Sequence, residues 1–190
     1  MIVSKSKGDS IMKRIIAIIM TLTLALCLFS CDSGSSSNGG KDTYTGELND
    51  AKTTLVIDNN TATFSMSEER EFKEQNTTVL QSATQTGIIE SNKDGVLTIV
   101  FNKPGAAATM SMKFSGSGAS AYKKTLKQQF SSMNDSAYKD AMLTILDGKT
   151  LKMSFGDKYW EEVGPGSSQV IVVKLDTANK TFTQMDSGIG

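Results

Sequence analysis

The sequence predicts a mainly β domain, a single antiparallel β-barrel or curved sheet of about eight to ten strands with one inserted helical hairpin. From about residue 43 onward, apolar and polar residues alternate with period two, which is typical of half-buried strands. Short spacers such as residues 58–60 and 92–95 have hairpin-turn composition and favour antiparallel neighbours, because parallel pairing needs long crossovers. One segment, about 119–147, instead carries apolar residues at helical spacing.

The strand pattern recurs along the whole region after residue 43. Gly87 is a candidate break within the fourth strand, because glycine weakens a strand interior. Residues 67–74 are predicted to form either a helical turn or an exposed strand end, with their charges on a solvated face. In order, the predicted strands are 43–48, 53–58, 61–66, 79–90, 95–101, 109–114, 151–155, 170–175 and 180–185.

Two helices form the predicted hairpin. Ser120 is the candidate N-cap of the first helix, and Asp135 or Ser136 that of the second. Gly148 is well placed to end the second helix, since glycine adopts the left-handed conformation at low cost. The apolar residues at helical spacing are Tyr122, Leu126, Phe130 and Met133 in the first helix, and Tyr138, Met142 and Ile145 in the second.

A basic and apolar leader precedes the β region. Met12, a second candidate start, is followed by Lys-Arg, an apolar run over residues 15–29, and then Ser30 and Cys31. The segment 28–31, Leu-Phe-Ser-Cys, resembles the lipobox of bacterial lipoproteins, although phenylalanine is bulkier than the usual residue there. The resemblance implies cleavage of a signal peptide, residues 1–30, and attachment of lipid such as palmitate to the Cys31 sulfur.

The leader also defines the domain organisation. Residues 31–42 form a lipidated cysteine with a Ser/Gly tether, and residues 43–190 form the β-rich domain. The alternative, a membrane-spanning helix, needs about 20 apolar residues, and the run over 15–29 is shorter. We therefore expect a protein anchored by lipid to a bacterial envelope membrane, on the periplasmic or the surface side, with the choice of membrane left open.

Composition argues against most catalytic and metal chemistry. The chain has no histidine, and Cys31 is the only cysteine left after cleavage. Zinc sites built from imidazole and thiolate, His-dependent triads and haem ligation by histidine are thereby excluded. The leader holds four of the 20 basic and one of the 20 acidic residues, so the mature chain has 16 and 19. Because the mature chain has no excess of basic residues, nucleic acid is not an expected partner. We also predict no enzyme activity, cofactor or metal.

Two copies of Ser-Ala-Tyr-Lys match the Ser-x-x-Lys pattern of penicillin-binding proteins and β-lactamases. They are Ser120 to Lys123 and Ser136 to Lys139. In those enzymes the serine opens a helix and is the nucleophile. The partner motifs Ser-Asp-Asn and Lys-Thr-Gly are absent here, so helix capping explains both copies better.

Seven inward positions of the predicted strands share one chemistry, since each is methionine or phenylalanine. Methionine is flexible and polarizable, which suits a surface that adapts to varied apolar shapes. These residues are therefore candidates for a ligand pocket, although simple core filling explains each one singly; a methionine copper site is a third, weaker interpretation. Trp160 is expected to anchor the core or close a barrel end. The candidate ligand-binding residues are Phe64, Met66, Met110, Met112, Phe114, Met153 and Phe155.

In architecture, such a domain resembles the lipocalin and fatty-acid-binding barrels. The Gly-x-Trp signature of the first lipocalin strand is absent, because residues 45–48 read Thr-Gly-Glu-Leu. The leading hypothesis is a lipid-anchored protein that binds a small apolar ligand in a Met/Phe-lined barrel. The alternative is an interaction module with a solid core and no ligand, whose protein partner the sequence does not identify.

Overall fold

The structure, a computed structural model, describes residues 41–48, 51–162 and 170–185. The predicted leader and most of the tether, residues 1–40 with Cys31, lie outside the described residues. The helices are α1 Ala119–Ser131, α2 Ser136–Leu146 and α3 Lys158–Glu162, with a 3₁₀ turn at Lys73–Gln75. The strands are β1 Asp42–Leu48, β2 Ala51–Asp58, β3 Thr61–Phe72, β4 Thr77–Lys93, β5 Val96–Val100, β6 Ala107–Ser115, β7 Leu151–Ser154, β8 Val170–Asp176 and β9 Thr181–Met185.

Seven of these strands close into a barrel in the order β3-β2-β1-β9-β8-β5-β4, and β4 pairs back with β3. Neighbouring strands run antiparallel except at the closure, where residues 45–47 of β1 lie parallel to residues 181–183 of β9. The parallel pair follows from the odd number of barrel strands. In an up-and-down barrel with an odd number of strands, the first and last strands point the same way, because neighbours alternate in direction.

The segment from β6 to α3 is inserted between barrel strands β5 and β8. It is held by β4, which is 17 residues long. One edge of β4 pairs with β3, while the other pairs with β5 through residues 88–93 and with β6 through residues 78–86. The long β3–β4 hairpin therefore belongs both to the barrel and to a four-stranded sheet, β3-β4-β6-β7, on which the helices pack.

The two ends of the barrel differ. At one end β1 begins with Asp42, and the turns at residues 59–60, 94–95 and 177–180 lie at the same end by register. At the other end the β3–β4 hairpin extends past the last β2–β3 pair, Thr54 with Ser65, and carries the helices. We call these the Asp42 end and the helical end.

One hydrophobic core runs through both parts. In the barrel it contains the fully buried side chains of Leu55, Leu97 and Ile99, and under the helices it contains Ile145 and Trp160. The Trp160 ring contacts Phe155 edge-on at 6.3 Å between centroids. Trp160 thus anchors the core beneath the helices, which is one of its two predicted roles.

The fold class predicted from the sequence is confirmed: the domain is mainly β, contains a closed barrel and carries one helical hairpin within residues 119–147. Three details differ. The closure of the barrel is parallel, β4 continues through Gly87, and the short helix α3 was not predicted. Residues 67–74 combine both alternatives, because β3 continues to Phe72 and the 3₁₀ turn follows.

The sequence predicted three helix ends: the starts of α1 and α2 and the end of α2. The structure confirms the two predictions for α2. The Asp135 side chain accepts a hydrogen bond from the Tyr138 amide at 2.9 Å and caps α2. Gly148 ends α2 with φ 79°, and the Lys149 amide bonds back to the Thr144 carbonyl. Ser120 is not the cap of α1.

Gly118 occupies the N-cap position of α1 without a side-chain bond. A β-carbon on Gly118 would lie 1.7 Å from the Gln75 carbonyl oxygen, and the Gly118 amide donates to the Asn76 carbonyl at 3.1 Å. The tip of the β3–β4 hairpin therefore docks directly against the start of α1, which leaves no room for a capping side chain.

Candidate functional site

One face of the four-stranded sheet points toward the helices and continues into the barrel interior. Cross-strand partners share a face, so the register groups its side chains into rows. We call this surface the Met/Phe face. From β3 through β4 and β6 to β7, its rows are Phe64–Gln85–Ala108–Met153, Met66–Ala83–Met110–Leu151, Glu68–Gln81–Met112 and Arg70–Val79–Phe114.

Six of the seven candidate ligand-binding residues lie in these rows, and Phe155 follows directly after β7. Only Phe64 lies within the seven-stranded barrel, where its ring meets that of Phe182 at 6.1 Å. Met66 lies just past the last β2 partner, and the others are on β6, on β7 or after it. Apart from Phe64, the set therefore lines the extension of the sheet beneath the helices and not the barrel interior, where the sequence analysis placed it.

Burial divides the set. Phe64, Met110, Met112 and Met153 belong to the buried core, while Met66, Phe114 and Phe155 are partly buried against it. The middle of the face is less covered, since Met66, Ala83 and Gln85 all keep partial exposure. We call this partly exposed stretch of the face, Met66, Ala83 and Gln85, the opening.

A polar row crosses the Met/Phe face next to this opening. Glu68 on β3 stands opposite Gln81 on β4, which in turn stands opposite Met112 on β6. The Arg70 Nε donates to Glu68 Oε1 at 2.6 Å, and the two side chains are 28% and 11% exposed. This pair neutralises the carboxylate and leaves its second oxygen available.

Two buried oxygens in this row have no hydrogen-bond partner among the described residues: Glu68 Oε2 and Gln81 Oε1. The Gln81 amide nitrogen faces the Met112 sulfur at 4.0 Å, a weak acceptor. A buried acceptor without a donor costs about 1–3 kcal/mol, and native proteins carry few of them. Two such atoms on directly opposed residues therefore single out this row.

Aromatic rings flank the polar row on the side of the hairpin tip. Tyr122 from α1 lies 5.2 Å from the Phe72 ring and 6.4 Å from the Phe114 ring, measured between centroids. Burial raises the pKa of the Tyr122 phenol. The polar row thus lies between methionines on one side and aromatic rings on the other.

A second group of unpartnered polar atoms lies around α2 and α3. The Tyr138 hydroxyl and the Trp160 indole nitrogen are buried without a partner in the described part of the chain. Burial, and secondarily the negative charge of Asp135, raises the pKa of Tyr138. No hydrogen bond or ring contact between Tyr138 and Trp160 joins these two atoms into one site within the described residues.

The Ser-x-x-Lys copies do not form a nucleophile and base pair here. Ser120 and Ser136 are exposed, and no hydrogen bond within the described residues joins either serine to its lysine. The described residues also hold no group of three or more acidic or sulfhydryl side chains suited to a metal ion. None of the helices described is both long and apolar enough to cross a membrane.

Comparison with known proteins gives no relationship. No protein-family profile matches the chain, and no curated protein and no solved structure is significantly similar to it. The site must therefore be interpreted from its own geometry.

Sequence reasoning missed Glu68 and Gln81. The signal was present, because the inward alternation Ala62, Phe64, Met66 continues with the same period to Glu68 and Arg70. The charges were interpreted as a solvated face, whereas the even positions of this segment point inward. Gln81 gave no separate signal, because it is one polar residue within the predicted strand 79–90.

Proposed function

We propose that the protein binds a small, largely apolar ligand on the Met/Phe face and is anchored to a bacterial envelope membrane by lipid on Cys31. The observation that carries the binding proposal is the polar row. It places two acceptor oxygens, without a partner among the described residues, on a largely buried apolar surface that keeps partial exposure at Met66 and Ala83. Ligand sites generally combine an apolar lining with a few convergent polar groups.

The surrounding side chains support an adaptable apolar site. Met66, Met110 and Met112 belong to two adjacent rows, with the small Ala83 between the first two. Unbranched thioether side chains change rotamer at little cost and can re-pack around ligands of different shape. Because the Ala83 side chain is a single methyl group, it leaves space between the side chains of Met66 and Met110, and a ligand can lie there.

The lipid anchor is supported by the leader sequence, in which a basic and apolar segment ends at Ser30 and Cys31. The described chain enters the domain at the Asp42 end, opposite the helices. A lipid on Cys31 would therefore be connected to the domain at that end.

The second candidate function is an interaction module without a ligand. It is favoured by the close burial of Phe64, Met110, Met112 and Met153, whose exposures do not exceed 8%. In that case the polar row is a feature of a solid core, and partners bind the outer surface.

A binding measurement separates the two functions. The chain from residue 31, with Cys31→Ser to prevent lipidation, is titrated with the apolar fluorescent amine N-phenyl-1-naphthylamine. We expect saturable binding, and Ala83→Leu should weaken it at least tenfold, because the added atoms fill the space between Met66 and Met110.

Ser82→Leu is the matched control, since Ser82 is the neighbouring residue on the opposite face of β4. It should leave the affinity within about twofold. No saturable binding by the unsubstituted face would contradict the ligand proposal and support the interaction module. Mass spectrometry of molecules extracted from the freshly purified protein gives an independent check.

A further inference from the structure

We propose that the polar row recognises a primary amine, so that the ligand is an apolar molecule ending in an –NH₂ or –NH₃⁺ group. This inference rests on the proposed ligand function of the Met/Phe face. It assigns the nitrogen to Glu68 Oε2 and Gln81 Oε1, which are buried and have no donor among the described residues.

The chemistry of the two atoms selects the head group. Both are acceptors only, because one is a carboxylate oxygen and the other an amide oxygen whose nitrogen already faces Met112. Directly opposed residues of an antiparallel pair have Cα atoms about 4.5–5.5 Å apart, so a single group can reach both side chains. A hydroxyl has one hydrogen to donate and would leave one oxygen unpaired, whereas a primary amine has at least two.

Charge points to the same group. Arg70 donates to Glu68 Oε1 through its Nε and neutralises the carboxylate, so a carboxylate ligand aimed at Glu68 Oε2 and Gln81 Oε1 meets two unpaired acceptors. An ammonium group instead donates a charge-assisted hydrogen bond to Glu68 Oε2. The rings of Phe72, Phe114 and Tyr122 near the row supply aromatic faces, which attract cations.

The position of the row sets the orientation of the ligand. Rows along a strand are about 7 Å apart, so the Met66–Ala83–Met110 row lies one step from the Glu68–Gln81 pair toward the barrel. The apolar body therefore lies over Ala83 at the opening, and the amine points inward to the polar row.

The test compares three ligands with the same ten-carbon chain: decylamine, decanol and decanoate. Each displaces N-phenyl-1-naphthylamine from the Cys31→Ser chain at pH 7.5. We expect decylamine to bind at least tenfold more tightly than either of the others. Glu68→Gln and Gln81→Met should each reduce this preference to threefold or less.

Glu68→Gln makes a second, sharper prediction. The substitution removes the counter-ion of Arg70, so the site should gain affinity for decanoate, and the order of the amine and the carboxylate should reverse. A loss of packing alone would not reverse the order. The control is Glu69→Gln, which makes the same change of charge at the next residue, exposed on the other face of β3.

The outcomes separate the two proposals. If the dye binds but the three ligands compete equally, the amine inference is wrong while the apolar site stands. If the amine preference persists in both Glu68→Gln and Gln81→Met, the nitrogen is not held by this row. If neither the dye nor any of the three ligands binds, the proposed function itself fails. Should Glu68→Gln not fold, as circular dichroism would show, Gln81→Met decides alone.

Discussion

Gly46 illustrates how one residue allows the barrel to close. It lies on β1 opposite Phe182 of β9, in the parallel pair that joins the first and last barrel strands. A β-carbon at this position would lie 2.3 Å from the Phe182 carbonyl oxygen and 2.9 Å from its ring. Glycine is therefore required by the close approach of the two strands and not by an unusual backbone angle.

Gly46→Ala should lower the free energy of unfolding by about 3 kcal/mol, because overpacking a well-packed site costs typically 1–3 kcal/mol and here a backbone atom must move. Urea denaturation followed by circular dichroism measures the change. Thr45→Ala is the control, since Thr45 is exposed on the same strand, and it should change the stability by less than about 1 kcal/mol. Equal effects of the two substitutions would contradict this account of the closure.

Single residues also show where the sequence was informative about the site. The methionine and phenylalanine positions could be found, since strand alternation places them on one face. The same alternation places Glu68 inward, but it does not mark Glu68 or Gln81 as a site, because a lone carboxylate or amide in a strand is usually solvated. Their meaning depends on the register of β3 against β4, which brings them opposite each other.

At the scale of an element, α2 is the best-specified part of the chain. Its start is capped by the Asp135 side chain, and its end has glycine in the left-handed conformation at Gly148. Both signals are local in sequence, so both could be predicted. The start of α1 could not, because contact with the distant hairpin tip at Gln75 excludes a side chain at Gly118.

Asp135→Ala should lower the free energy of unfolding by about 1 kcal/mol, the usual value for loss of an N-cap side chain. It should also lower the pKa of Tyr138 toward its ordinary value, since the negative charge of Asp135 contributes to the raised pKa. Chemical denaturation and an ultraviolet titration of the phenol measure the two effects.

The control for this change is Ser136→Ala, at the next residue, which is exposed and does not cap the helix. It should leave both quantities nearly unchanged. A loss of stability in Ser136→Ala equal to that in Asp135→Ala would show that Ser136 is the effective cap.

The strand β4 shows the limit of local patterns. Gly87 was a candidate break, yet the strand continues through it. Glycine is needed there because a β-carbon would lie 2.5 Å from the Ile99 side chain. The glycine serves close packing inside the barrel. The strands β5 and β6 follow one another along the same edge of β4. This arrangement depends on pairing between distant segments, which no local pattern reveals.

At the scale of the whole molecule, the barrel and the helical layer are one structure. They share the β3–β4 hairpin and one hydrophobic core, so neither part can be removed without exposing the other. The sequence predicted the number of strands and the place of the helices. It did not predict that the helices and two strands form an insertion, because β5 and β8 pair across the entire inserted segment.

The proposed anchor is tested on the intact protein in cells. Cys31→Ser should move the protein from the membrane fraction to the soluble fraction, since lipid attachment requires the thiol. Sedimentation of lysed cells followed by immunoblotting measures the distribution. Cys27→Ser is the matched control in the same leader and should leave the protein with the membranes; retention of the Cys31→Ser protein would contradict lipid anchoring.

The position of β1 has a mechanical consequence. A force on the chain before Lys41 acts on Asp42, at the first residue of a strand that is paired along both edges, with β2 and with β9. The hydrogen bonds of β-ladders run across the strands, so a pull along β1 loads the bonds of both ladders in shear and all together. A pull across a ladder would instead unzip its bonds one by one. If the proposed lipid anchor holds the protein, drag on the domain loads the ladders of β1 in shear, a direction that resists opening better than unzipping does.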